Sequence, residues 1–115
     1  MADISIISKE TAQQVEHIGN SFKLGEPVVV VIDVAPEEVA SIDRSGNNLT
    51  ITLKNGEQIY IENYFAADTD NSLVFKNNQN QLLLAQVTDA SGAILDPISY
   101  LNLEEVTPLL YGAES

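Results

Sequence analysis

The sequence predicts an all-β fold, a compact antiparallel sandwich of about eight short strands with no long helix. Three observations carry this. Apolar and polar residues alternate strictly along Leu49 to Lys54 and again along Gln58 to Glu62, the period of a half-buried strand. Turn-forming residues recur at spacings of roughly 8–12 residues along the chain. No segment sustains the 3.6-residue period of an amphipathic helix.

Taken in order, Ile4, Ile6 and Ile7 mark a short first strand. Thr11 to Ile18 places Val15 and Ile18 at helical spacing, but it is short and polar and reads better as a strand or extended edge. Gly19 to Pro27, with two Gly and a Pro, reads as a loop. Val28 to Val34 is a near-continuous β-branched run, the mark of a strand buried on both faces. Ala35-Pro36-Glu37-Glu38 makes a turn, with Pro placed to start a single helical turn. Val39 to Arg44 is the next strand, and Ser45-Gly46-Asn47-Asn48 turns it into Leu49.

The hairpin around Asn55-Gly56 is the clearest local feature, and its register follows from burial. A two-residue Asn-Gly loop would pair Ile51 with Tyr60 and put the two apolar sets on opposite faces. A three-residue loop, Lys54-Asn55-Gly56, pairs Ile51 with Ile59 and Leu49 with Ile61, with Gly56 at the left-handed position of a bulged type I turn. Five aliphatic side chains then share one face. At roughly 1.5–3 kcal/mol each, their burial outweighs the preference for the shortest turn.

Asn63 to Ser72 is a longer loop that begins with Tyr64 and Phe65 and has an acidic centre. Leu73 to Lys76 is a strand, and Asn77 to Gln81 an amide-rich turn. Leu82 to Thr88 is a strand whose uniformly apolar start leaves its inward face undetermined. After Ala90-Ser91-Gly92, Ala93 to Leu95 and Ile98 to Leu103 read as two strands split by Asp96-Pro97. Glu104 to Tyr111 is a capping segment. Residues 1–112 read as one domain and 113–115 as the start of a linker.

The chain has 115 residues, enough to bury about two thirds of its extended surface without a covalent staple. It holds no Cys, which excludes disulfides, thiolate metal sites and Cys nucleophiles. Seventeen acids against five bases give a net charge of −12. Such a surface repels phosphate backbones and anionic headgroups, so neither nucleic acid nor a membrane surface is an expected partner. The longest apolar run, Val28 to Ile32, is too short to span a bilayer, and membrane insertion is not expected. The opening residues lack the basic and long apolar regions of a signal peptide.

Candidate chemistry is thin. His17 is the sole histidine, no Gly-x-Ser-x-Gly motif accompanies it, and no enzyme is expected. The carboxylate pairs Glu37-Glu38, Asp68/Asp70 and Glu104-Glu105 read as solvated charge. The best metal candidate is the loop Asp68-Thr69-Asp70-Asn71-Ser72, where hard oxygens alternate as Ca²⁺ requires. It lacks the Gly and terminal Glu of an EF-hand, so Asp68 and Asp70 are at most weak calcium ligands, and Asx-turn hydrogen bonding is the competing role. No other cofactor is expected. Asn48-Leu49-Thr50 has the form of a glycosylation sequon. Ala66-Ala67 is a small-residue pair of the kind that proteases process in some surface adhesins.

The succession IDRSGNNLTITLKNGEQIYIENYF, DNSLVF, LLLAQVTDASGAILDPISY and EEVTPLLYG resembles the N-terminal prefix domain of Bap-type biofilm-associated proteins, large bacterial surface adhesins. The resemblance covers nearly the whole chain, most clearly Val28 to Gly112. One departure is Leu84, where an aromatic would be expected. The resemblance implies a non-catalytic module that precedes immunoglobulin-like repeats in a protein exported by type I secretion, with localisation at the cell surface or outer membrane. It also implies that the module helps retain or present the adhesin. Its partners would be channel components of the secretion system or further copies within the biofilm. The alternative reading is an acidic binding module that recognises a glycan or protein through the loop at 63–72.

Overall fold

Ten strands form among the described residues of the computed structural model, which are 3–11, 13–17, 19–65, 71–88 and 94–103, with the backbone alone at 94–97. They are β1 (Ile4–Ser8), β2 (Gln14–His17), β3 (Ser21–Lys23), β4 (Val28–Ile32), β5 (Val39–Ser45), β6 (Asn48–Leu53), β7 (Gln58–Glu62), β8 (Ser72–Lys76), β9 (Leu82–Thr88) and β10 (Ile94–Leu103). A single 3₁₀ turn, Pro36–Glu38, precedes β5, with Pro36 in its first turn as the sequence indicates.

The strands build two sheets. One has six strands in the order β10-β9-β8-β4-β1-β2, the other four in the order β3-β7-β6-β5. The sandwich expected from the pattern is borne out. Most pairings are antiparallel, but β4 runs parallel to β8 and β3 parallel to β7. Parallel neighbours need a long crossover between them, and here each crossover passes through the opposite sheet. The chain changes sheet at β2–β3, β3–β4, β4–β5 and β7–β8.

The β6–β7 hairpin has the register that burial demands. Leu49 faces Ile61 and Ile51 faces Ile59. The Gly56 amide donates to the Leu53 carbonyl at 3.0 Å and the Leu53 amide to the Glu57 carbonyl at 2.8 Å. With Gly56 at φ +97, this is the three-residue loop with its bulge. The turn between β8 and β9 repeats the pattern. Asn80 donates to the Asn77 carbonyl and Asn77 to that of Gln81, both at 3.0 Å, with Asn80 at φ 62 in the place of glycine.

The core lies between the sheets. Leu49, Ile51, Ile59 and Ile61 of the small sheet meet Val30, Ile32, Leu73 and Phe75 of the large one, all fully buried. Alternate residues of β4 and β8 point the other way, and Val29 and Val74 are fully buried there too, in a second cluster with Ile7. That second cluster explains why the face of Leu82 to Thr88 could not be assigned: Leu82 and Leu84 join the outer cluster, while Ala85 and Val87 belong to the inner core.

Two expectations are corrected. Gly19 to Pro27 is not all loop, because Ser21–Lys23 forms β3 against β7. The last two strands are one, β10, with an irregularity where they were to be split. From Ile94 to Ser99 the chain takes five steps against two on β9, from Thr88 to Gln86. Pro97 has no amide for the ladder and falls within that irregularity.

Candidate functional site

The loop between β7 and β8 carries the chain from the small sheet to the large one, and it contains the candidate residues. Its foot is built from asparagines. Asn63 takes φ 64, a left-handed conformation that Asn tolerates better than most residues. Its amide donates to Asn48 Oδ1 at 3.1 Å, and Asn48 Nδ2 donates to the Tyr60 hydroxyl at 3.0 Å. The Phe65 amide donates to the Asn47 carbonyl at 3.0 Å.

The far side of the foot closes on Asn71. Its Nδ2 donates to the Tyr64 carbonyl at 3.0 Å, and its Oδ1 accepts the Val28 amide at 3.0 Å. One side chain thus joins the start of the loop to the start of β4. The aromatic pair packs beside it. Tyr64 is buried and meets Phe65 edge-on with ring centres 5.0 Å apart. The Arg44 guanidinium lies 4.5 Å from the centre of the Phe65 ring, a cation–π contact worth about 0.5–1 kcal/mol where exposed.

Asp68 and Asp70, with Ala66 and Ala67, lie outside the described residues. Asn71, from the same run, is described, and its Oδ1 accepts the Val28 amide. Among the described residues no group of three or more His, Asp or Glu side chains is placed to hold a metal ion.

The family described as "BapA, prefix-like domain" matches residues 1–115, the whole chain. The chain belongs to that family. No curated protein and no solved structure matches it. Membership makes this BapA prefix-like domain the N-terminal part of a Bap-type biofilm-associated adhesin, a secreted and surface-associated protein. Among the described residues no helix is long and apolar enough to cross a membrane.

In this BapA prefix-like domain the other candidates make contacts within the fold. The His17 ring lies 4.7 Å from that of Phe22 and tilted to it, with Nε2 3.3 Å from the Ser21 carbonyl. The histidine therefore ties the end of β2, in one sheet, to β3, in the other. The Asn48 side chain is taken up by its bonds to Tyr60 and Asn63, so the sequon sits within the foot of the loop. Burial pushes the Tyr100 hydroxyl above its ordinary pKa of 10.0. That ring packs edge-on against Phe75.

Sequence reasoning missed one feature. A cleft of about 260 Å³ runs between the 3₁₀ turn, the β6–β7 turn and the β8–β9 turn. Asp33, Glu38, Glu57, Asn55 and Asn78 line it. A second hollow of about 230 Å³ continues it past Glu37, Asn77 and Gln79. Carboxylates and amides dominate both, and each is smaller than the roughly 300 Å³ at which ligand pockets begin. The carboxylates do not converge on a metal-binding arrangement. The amide-rich turn was the only signal in the sequence, and nothing there linked it to Glu37 and Glu38.

Proposed function

We propose that the domain is a non-catalytic folded stop at the trailing end of a Bap-type adhesin, which helps to hold the protein at the cell surface. The observation that carries this reading is the family match over the whole chain. The fold supports it. Two sheets enclose a core of fully buried aliphatic side chains, and the chain holds no Cys. A domain with such a core reaches a stable state without an oxidant. A type I channel passes unfolded chain, so a segment that folds before it transits arrests export. Its partner is then the channel itself, and no nucleic acid, membrane-inserted segment or resident cofactor enters the mechanism.

The test is deletion of residues 1–112 from the full-length adhesin, followed by measurement of adhesin on cells and in the medium. Release into the medium is the expected result. An unchanged partition, with biofilm mass also unchanged, overturns the anchoring role. A second reading, recognition of a glycan or protein through the loop at 63–72, draws support from the way Asn63 and Asn71 clamp that loop at both ends. It places the effect of loop substitutions on adhesion between cells and leaves the partition untouched.

A further inference from the structure

The six-stranded sheet ends at β2, which pairs with β1 on one side; among the described residues nothing pairs with the other. The phase of the ladder shows what that free side offers. The Ser8 amide donates to the Gln13 carbonyl at 2.9 Å, and bonded pairs alternate along an antiparallel ladder. Val15, opposite Ile6, and His17, opposite Ile4, therefore turn their main-chain groups toward β1. Gln14 and Glu16 turn theirs outward. Gln14, Val15 and Glu16 are all exposed. Val15 extends the cross-strand row of Val30 and Ile6, and there 63 % of its surface is exposed.

The other sheet edges each carry a feature that discourages further pairing. β3 is only three residues long. β5 has a register shift between Val39 and Ser41 and exposes Asp43 and Arg44. β10 is interrupted around Pro97. β2 has neither proline nor lysine, and its register runs unbroken from Gln14 to His17. We propose that β2 is a docking edge for β2 of a second copy, joined antiparallel about a two-fold axis at Val15.

In this register Gln14 lies opposite Glu16 of the second copy, and their outward amides and carbonyls bond to each other. Val15 meets its own counterpart in a non-bonded pair, with Cα atoms about 4.5 Å apart, and each covers the exposed surface of the other. No like charges stand directly opposite. Gln14 spends one amide hydrogen on Ser5 Oγ at 3.3 Å and keeps the second for the carboxylate of Glu16 across the axis. A second copy is favoured over an unrelated strand because this edge is its own complement: valine meets valine, and carboxylate meets amide. The contact is small, well below the roughly 1,200 Å² of a stable interface, and chains of net charge −12 repel each other. The pairing is therefore weak, with a dissociation constant of about 0.01–1 mM, and salt tightens it. It needs only the folded domain and stands apart from the anchoring role.

Sedimentation velocity should show reversible dimers that increase with protein concentration up to about 1 mM and with added salt. Glu16→Pro removes an outward amide and leaves the β1 ladder its bonds, so it should abolish the dimer with the far-ultraviolet circular dichroism retained. If that variant unfolds, Val15→Glu takes its place, since it sets two carboxylates directly opposite. The register has its own test. The chain holds no Cys, and the Cα spacing at the axis suits a disulfide. With an added oxidant, Val15→Cys should form a linked dimer about tenfold faster than Leu101→Cys, whose thiol replaces an exposed side chain of β10. A chain that stays monomeric at about 1 mM overturns the proposal. Dimers that survive the edge substitution in a folded variant overturn it, and so do equal oxidation rates at the two positions.

Discussion

Ile51 and Thr52 are neighbours in sequence and opposites in consequence. Ile51 is fully buried between the sheets, whereas Thr52 accepts a 3.4 Å hydrogen bond from Gln58 Nε2 on the outer surface. Ile51→Ala should cost about 2–5 kcal/mol as a core truncation. Thr52→Ala should stay within about 0.5 kcal/mol. Chemical denaturation of both variants checks this, and equal losses would show that the hairpin does not bury the face described. Asn71 supplies the second expectation at this scale. The Val28 amide takes one of the two lone pairs of its oxygen, and the run lacks the Gly and terminal Glu of an EF-hand, so any calcium site at Asp68 and Asp70 should be weak. Calorimetry should find no submicromolar Ca²⁺ binding. Tight binding abolished by Asp70→Asn would contradict it. The same asparagine marks a limit of sequence reading. Its place in an acidic run was plain, but its bond to Val28, 43 residues away, had no trace in the local pattern.

Among the elements, the two bulged turns form a natural pair. Gly56 and Asn80 hold equivalent positive-φ positions, +97 and +62, in turns with the same hydrogen bonds. A side chain at the first position introduces strain, so Gly56→Ala should destabilise by about 1–2 kcal/mol. Nothing lies near enough for the new Cβ to touch, so the loss reports conformation alone. Asn80→Gly relieves the second position and should be neutral or stabilise by about 0.5 kcal/mol. Thermal melts of the two variants should move in those directions, and a shared direction would show that the turns are not equivalent. The β6–β7 hairpin was readable because one face is polar and the period is unambiguous. Leu82 to Thr88 was not, because its start is apolar on both faces. Strand β3 escaped notice for another reason. It is three residues long, and its partner β7 lies parallel to it and distant in sequence. Only the finished fold brings the two together.

For the molecule as a whole, the alternation of apolar residues and the spacing of turns were enough to read two packed sheets. The four changes of sheet were not legible, because a crossing leaves no local signature. They matter for function. Each crossing ties one sheet to the other through a short set of contacts, such as His17 against Phe22 or Asn71 between Tyr64 and Val28. Loss of core packing in either sheet therefore weakens the entire domain. If retention depends on a folded stop, it should track overall stability and ignore surface chemistry. The most direct measurement places Ile51→Ala, Val30→Ala and Glu62→Gln separately in the full-length adhesin. For each, the adhesin on cells and in the medium is compared with the measured stability of the isolated domain. The account predicts release for the two core truncations and retention for Glu62→Gln. Full retention of a core variant whose domain is destabilised by about 2 kcal/mol or more, or release of Glu62→Gln at unchanged stability, would contradict it.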